Sequence, residues 1–299
     1  MFFLPTEDQR ELQRGVREVL DAAFPLERLP RGLDAALWKT LEETGVFSLR
    51  TDLDLGMVEA SLVFEELGRA AVPGPLVGSF LAAGAADGPV TVLDPRHRPL
   101  VVSHLAFAAS LLVLDPSGPE LTPTPAGTEL SEPIDPLTPL HELAAVPTGS
   151  AFGDIDRLWQ EGALLTAAVQ VGLAARLTEL AVEYAKGREQ FGQPIGSFQA
   201  VKHICADMLV RTELARAALH AAAVTLDDPE VGDAARAVAG AKLLADEAAT
   251  QNARSCVQVH GGMGFTWEVP VHFFLKRAWL HATEFGTADD HAEDLAARL

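Results

Sequence analysis

The chain has 299 residues, 48% of them hydrophobic and 22% charged, with a formal net charge of −19. This length supports a substantial core in one or two domains, and 23 basic against 42 acidic residues is the wrong balance for a nucleic-acid partner. No apolar run approaches the roughly 20 residues needed to cross a bilayer, so no membrane span is expected. The start, Met1-Phe-Phe-Leu-Pro-Thr-Glu-Asp8, lacks the basic head and apolar centre of a signal peptide, which predicts a cytoplasmic protein.

Residues 6–23 read as an amphipathic helix, with Leu12, Val16, Val19 and Leu20 on one face and Thr6 as its cap. Further helices are expected over 33–44, ended by Gly45, and over 58–71, ended by Pro73-Gly-Pro75. From about 88 to 147 prolines recur between short runs such as Val90–Leu93 and Leu111–Leu114, the pattern of a small β region with many turns. The helical period then returns at about 155–186, 199–226, 230–259 and 270–282, with Asp227-Asp-Pro229 as a break. A helix of about 27 residues is about 40 Å long, so these are bundle-length elements. Cys205 and Cys256 lie in apolar helical patterns, which suits reduced, buried thiols.

Between the first two long helices lies Tyr184-Ala-Lys-Gly-Arg-Glu-Gln-Phe-Gly-Gln-Pro-Ile-Gly-Ser-Phe-Gln199. Arg188, Gln190 and Gln199 supply side-chain donors, and Gly187, Gly192 and Gly196, lacking Cβ, let backbone approach a ligand. Arginine suits a pyrophosphate through its fixed fork of N–H groups. An ordinary connection in which Pro194 stops a helix accounts for the same residues. A second turn, Cys256-Val-Gln-Val-His-Gly-Gly-Met-Gly-Phe-Thr266, follows another helix, so its glycines are not the βαβ dinucleotide fingerprint. No His-Glu-x-x-His or paired-cysteine spacing joins His260, His272, His281 or His291, and no metal is expected. A Gly-x-Ser-x-Gly hydrolase nucleophile is absent too.

Together the two turns resemble the acyl-CoA dehydrogenase family, with few gaps from about Asp154 to Thr287, and Glu65-Glu-Leu-Gly-Arg69 resembles its N-terminal helical part. The resemblance implies a mainly α fold: an N-terminal helical domain (1–87), an abridged small β domain (88–150) and a C-terminal four-helix bundle (151–299). It also implies FAD as cofactor, with the adenosine diphosphate half held across a subunit interface. The positions it assigns to FAD are Arg188, Gln190, Phe191, Gln199, Gln258, Gly261, Gly262 and Thr287.

Family members remove the α-proton of an acyl-CoA with a carboxylate while the β-hydrogen leaves as hydride to the flavin. Here the segment that carries that carboxylate reads Glu284-Phe-Gly-Thr287, so Phe285 stands where the base is expected and Asp289 replaces a Gln that contacts the cofactor. Glu284 is one residue out of register and its side chain points elsewhere. A subset of the family carries the base early on the first long helix. Asp154-Ile-Asp156-Arg157 resembles that place, with Asp156 as base and Arg157 as a CoA contact, although capping and the helix dipole are the leading explanation of an Asp in a first helical turn.

The middle segment lacks the family's flavin-holding pattern. Intact distal FAD contacts, a lost base and a short β domain are similar to the smaller subunit of heterotetrameric acyl-CoA dehydrogenases of bacterial steroid degradation. That implies a longer catalytic partner in an α2β2 assembly, an acyl-CoA substrate that can be steroid-derived, and electron-transfer flavoprotein as acceptor. The alternatives are a homomeric enzyme with Asp156 as base, and a helical interaction protein without flavin.

Overall fold

The computed structural model describes residues 3–298; Met1 and Phe2, part of the segment read for a leader, lie outside them. Three helices and a short fourth come first: α1 (Glu7–Ala23), α2 (Ala35–Glu43), α3 (Met57–Arg69) and α4 (Leu76–Leu81). Thr6 caps α1 in a full capping box with Gln9, and Asp34 caps α2 by accepting the Leu37 N–H, each satisfying an otherwise orphaned donor. α3 ends at Arg69, and Pro75 opens the unanticipated α4.

The proline-rich middle forms seven short strands: β1 (Val90–Leu93), β2 (Leu100–Ser103), β3 (Ser110–Val113), β4 (Glu120–Pro123), β5 (Thr128–Glu129), β6 (Leu140–Leu143) and β7 (Ser150–Ala151). One sheet has the order β1-β3-β4-β7, with β1 parallel to β3 and the rest antiparallel; the other, β2-β6-β5, is antiparallel throughout. Leu93, Leu100, Val102, Leu111, Val113 and Leu143 form a separate small core.

The helical remainder comprises α5 (Ile155–Gly187), α6 (Gln199–Asp227), α7 (Ala234–His260), α8 (Val271–His281) and α9 (Ala288–Ala297). α9 and a hairpin, β8 (Glu189–Gln190) with β9 (Gln193–Pro194), are additions to the elements read from sequence. α5 is long and apolar enough to cross a membrane, but 72% of its most apolar window is buried inside the fold, so it is the core helix around which α3, α6 and α7 pack. Its neighbours are locked by Asn252, whose amide donates to the carbonyls of Ala174 and Met208 and to the hydroxyls of Thr178 and Thr212, tying α7 to α5 and α6. Cys256 is buried, with its thiol pushed up to about 12 by desolvation, whereas Cys205 is half-buried rather than fully enclosed.

Candidate functional site

The two glycine-bearing turns lie at one end of the bundle. The rings of Tyr184 near the end of α5 and His260 at the end of α7 stack at 4.1 Å between centroids, holding the turns beside each other. The Arg188 N–H donates to Tyr184 O at 2.8 Å and its own carbonyl accepts from Ile195 N at 2.7 Å, closing the β8–β9 hairpin. At the tip Phe191 and Gly192 both have positive φ, 56° and 78°, and Phe191 is 92% exposed. Gln199 opens α6, with its amide 3.1 Å from His203 Nε2. Gln258 is exposed on the last turn of α7, which ends at Gly261 with φ 62°.

The side chains of Arg188 and Gln258 have no protein hydrogen-bond partner among the described residues. Nothing lies within 4 Å of where a Cβ would stand on Gly187, Gly192, Gly261 or Gly262. A bulky polar group can therefore rest against this backbone, and a free guanidinium with the free amide of Gln258 at the same bundle end offers donors suited to a pyrophosphate. Gly196 departs from expectation: a Cβ there would stand 2.9 Å from Ala185 O, so this glycine serves close packing onto α5.

Thr287 is elsewhere. It caps α9 in a capping box with Asp290, beside the turn that leaves α8. That turn packs at Gly162 and the bundle end at Tyr184, 22 residues apart on α5, so at about 1.5 Å per residue the two regions are separated by about 33 Å. Phe285 is 7% exposed, its ring tilted against Trp159 at 5.7 Å and lying directly on Gly162. Its carbonyl accepts from His291 Nε2 at 3.0 Å, and buried Lys242, paired with Asp246, donates to the carbonyls of His281 and Gly286. Phe285, where the resemblance expects a carboxylate, is thus a packed phenyl ring.

Glu284 is part-buried and pairs with His281 Nδ1 at 2.7 Å. Burial works to raise its carboxyl, but the attraction of His281 and, more distantly, of Lys242 and Arg277 outweighs this and holds it below the usual range. Arg277, His281 and Glu284 border a cavity of about 430 Å³ between α4, β1, β2 and the α8–α9 turn.

At the start of α5, Asp154 accepts the Arg157 N–H at 2.9 Å and is the cap. Asp156 borders a different cavity, of about 340 Å³, and Trp159 forms part of the wall of both. The Arg157 guanidinium is already engaged, by Glu161 and by Leu226 O at 3.0 Å. Glu161, 1% exposed, also accepts from Arg50 at 2.7 Å, a buried link between the N-terminal helices and α5 that sequence reading missed. Its only sequence signal is the four-residue spacing from Arg157. Histidines 260, 272, 281 and 291 are dispersed, and no group of three or more His, Cys, Asp or Glu able to hold a metal occurs among the described residues.

A mainly helical chain with two small sheets, a long helical bundle and a donor-rich bundle end defines the fold class of the acyl-CoA dehydrogenases. The family model described as "Acyl-CoA dehydrogenase, C-terminal domain" matches residues 155–299. The chain is 36% identical over 275 residues to the acyl-CoA dehydrogenase IpdE2 of Mycobacterium tuberculosis, covering 83% of this chain and 81% of that protein. Among solved structures it is similar to the ChsE4–ChsE5 complex from Mycobacterium tuberculosis, at a TM-score of 0.79 and 24% identity over 100% of this chain and 98% of that one. It is also similar to the Tcur3481–Tcur3483 steroid ACAD, at a TM-score of 0.80 and 24% identity over 97% of each chain. The chain belongs to the acyl-CoA dehydrogenase family, whose cofactor is FAD.

Proposed function

We propose that this chain is the smaller subunit of a heteromeric acyl-CoA dehydrogenase, completing the FAD site of a longer catalytic subunit across their interface. The observation that carries this reading is the contrast between the two ends of α5. At one end Arg188, Gln199, Gln258, Gly261 and Gly262 are exposed, with Arg188 and Gln258 free of protein partners, where the diphosphate and adenosine of a cofactor can reach them. At the other, Phe285 packs on Gly162 and no proton acceptor stands in its place.

When bound, FAD supplies the acceptor for the hydride that leaves the acyl β-carbon. The part of this chain is then to bind and orient: Arg188 neutralises diphosphate charge, Gln190, Gln199 and Gln258 donate to its oxygens or to the sugar, and Phe191 covers the adenine. Thr287, far along the bundle, does not reach the same half of the cofactor. The partner supplies the base and receives the acyl-CoA. Asp156 stays a helix-start residue and Arg157 a structural one, since its guanidinium is spent on Glu161.

Leu209, Val210 and Leu214 on α6 are exposed apolar side chains, the kind of surface a partner covers. The α2β2 assembly, the steroid-derived acyl group and transfer to electron-transfer flavoprotein belong to this proposal. The first two are supported by the similarity to a two-component complex and to a steroid ACAD.

The test is to purify the chain alone and co-expressed with a longer family member encoded beside it, measuring flavin absorbance and mass by light scattering. Flavin in the co-purified complex and none in the lone chain is expected. A lone chain that is yellow and oxidises an acyl-CoA would overturn the proposal and restore Asp156 as the base.

A further inference from the structure

Tyr184 and His260 are not among the residues assigned to the cofactor, yet their rings join the two helix ends from which the donor-bearing turns depart. The centroids are 4.1 Å apart and the planes 23° from parallel, a stacked pair between the last turn of α5 and the last residue of α7.

Each ring is tied to backbone that carries one of the free donors. The Arg188 N–H donates to Tyr184 O at 2.8 Å, so Arg188 leaves α5 held to the residue that bears the stacked ring. On the other side His260 Nδ1 is 2.8 Å from Cys256 O, which can only accept, so Nδ1 carries the proton and the bond fixes the ring over the last turn of α7. That turn includes Gln258, whose carbonyl accepts the Gly261 N–H. The turns also pack on their own helices: a Cβ on Gly196 would stand 2.9 Å from Ala185 O of α5, and one on Gly264 2.9 Å from Val257 O of α7. Each turn therefore follows the end of its helix. The Arg188 and Gln258 side chains have no protein partner among the described residues, so their separation is set through that backbone. A ligand that spans two donors binds more tightly when they are held in place beforehand.

Taking this bundle end as part of an FAD site, as in the proposed function, we propose that Tyr184 and His260 are positioning residues for the cofactor. Their stack clasps the ends of α5 and α7 so that Arg188 and Gln258 meet one diphosphate-bearing ligand together. It acts through the helix ends and not by touching the ligand.

The test is to titrate FAD into the flavin-stripped complex of this chain with the longer family member, reading binding by the quenching of flavin fluorescence. Tyr184→Ala and His260→Ala should each weaken FAD by about tenfold, and the double variant by no more than about tenfold, because one clasp is lost once. The Tyr184 hydroxyl makes no hydrogen bond among the described residues, so Tyr184→Phe keeps what the stack uses, and His260→Phe keeps a ring opposite Tyr184. Both should stay within about twofold of wild type, a rescue that a general loss of stability does not give. Tyr184 is the only tyrosine of the chain, so ring-labelled tyrosine in the full chain gives one set of NMR signals. Their ring-current shift should disappear in His260→Ala and persist in His260→Phe, without flavin. Should His260→Ala fail to fold, Tyr184→Ala, at the half-buried ring, decides. Arg188→Ala is the control. If it weakens FAD while Tyr184→Ala and His260→Ala bind as wild type, the clasp is overturned and the FAD reading stands; if all three bind as wild type, the FAD reading falls and the clasp with it. Phenylalanine variants as weak as the alanine ones, or a tyrosine shift indifferent to His260→Ala, would also overturn the clasp.

Discussion

Gly162 and Phe285 form a fitted pair, and substituting Gly162→Ala should expose that dependence. An ideal Cβ on Gly162 would stand 2.0 Å from Phe285 Cε1, 2.3 Å from Cδ1 and 2.5 Å from Cζ, far inside any tolerable contact. The ring has little room to withdraw. Trp159 lies against it, its backbone carbonyl is held by His291, and the residue already occupies a left-handed conformation at φ 54°. Overpacking of this kind costs about 1–3 kcal/mol, and the depth of the overlap puts Gly162→Ala toward the upper figure. At roughly 2–4 °C per kcal/mol for a protein of this size class, the melting temperature should fall by about 6–12 °C.

Phe285→Ala removes a buried ring and should cost about 3–5 kcal/mol by leaving a cavity. The double variant removes the clash as well, so its loss should be close to that of Phe285→Ala alone, a coupling of about 1–3 kcal/mol in the cycle. Urea denaturation followed by circular dichroism gives all three values. A Gly162→Ala protein within about 0.5 kcal/mol of wild type, or strictly additive losses, would refute the idea that the ring has taken over the seat of the carboxylate.

Arg188→Ala should leave stability unchanged, because the side chain is exposed and makes no hydrogen bond or ion pair among the described residues, and weaken flavin retention in the complex by about 10- to 100-fold, the range of a charged hydrogen bond, as read by flavin absorbance after dialysis. Asp156→Asn should keep the dehydrogenase rate of the complex within a few-fold of wild type in a dye-reduction assay; a loss of several orders of magnitude would place the base on α5. Lys242→Met strands Asp246 as a buried, unpaired carboxylate and frees the Gly286 turn, so a loss of about 3–5 kcal/mol is expected from denaturant titration. His104, 4% exposed, has its ring pKa lowered from 6.5 to about 3 chiefly by desolvation, with Arg277 adding to the effect. Between these values the unfolded chain binds a proton that the folded one does not, so stability falls as pH drops from 6.5 toward 3, by about 1.4 kcal/mol per unit. His104→Asn should flatten that slope, measured as urea midpoints across the window.

Much of the helical architecture was legible because its signals are local. Apolar spacing marks α1, α5, α6 and α7, and Thr6 and Gly45 announce ends through backbone donors that a side chain or a left-handed turn satisfies, whereas the Asp34 cap of α2 emerged only in the structure. Strands of two to four residues between prolines carry too little period to number or pair, and the parallel β1–β3 contact joins residues 20 positions apart. α9 was hidden because its ten residues, Ala288–Ala297, have a single buried position, His291. The half-buried state of Cys205 and the use of Gly196 for packing were equally illegible, since an apolar period or a missing Cβ does not say which neighbour lies opposite.

The sequence by itself determined the family, the helical class and the residue types at the bundle end proposed for FAD, since Arg188, Gln199, Gln258 and their glycines lie within two contiguous turns. It also showed that residue 285 cannot accept a proton, because a phenyl ring has no lone pair. Only the tertiary structure decided what these residues do in space: that Tyr184 and His260 bring the two turns to one end, that Thr287 is on the far side of the molecule, and that Arg157 belongs to Glu161. It decided too that Arg277, Glu284 and His281 meet around one cavity. Those facts depend on contacts between distant segments, where burial and partner choice set the role of a side chain, and neither is written in the order of the residues.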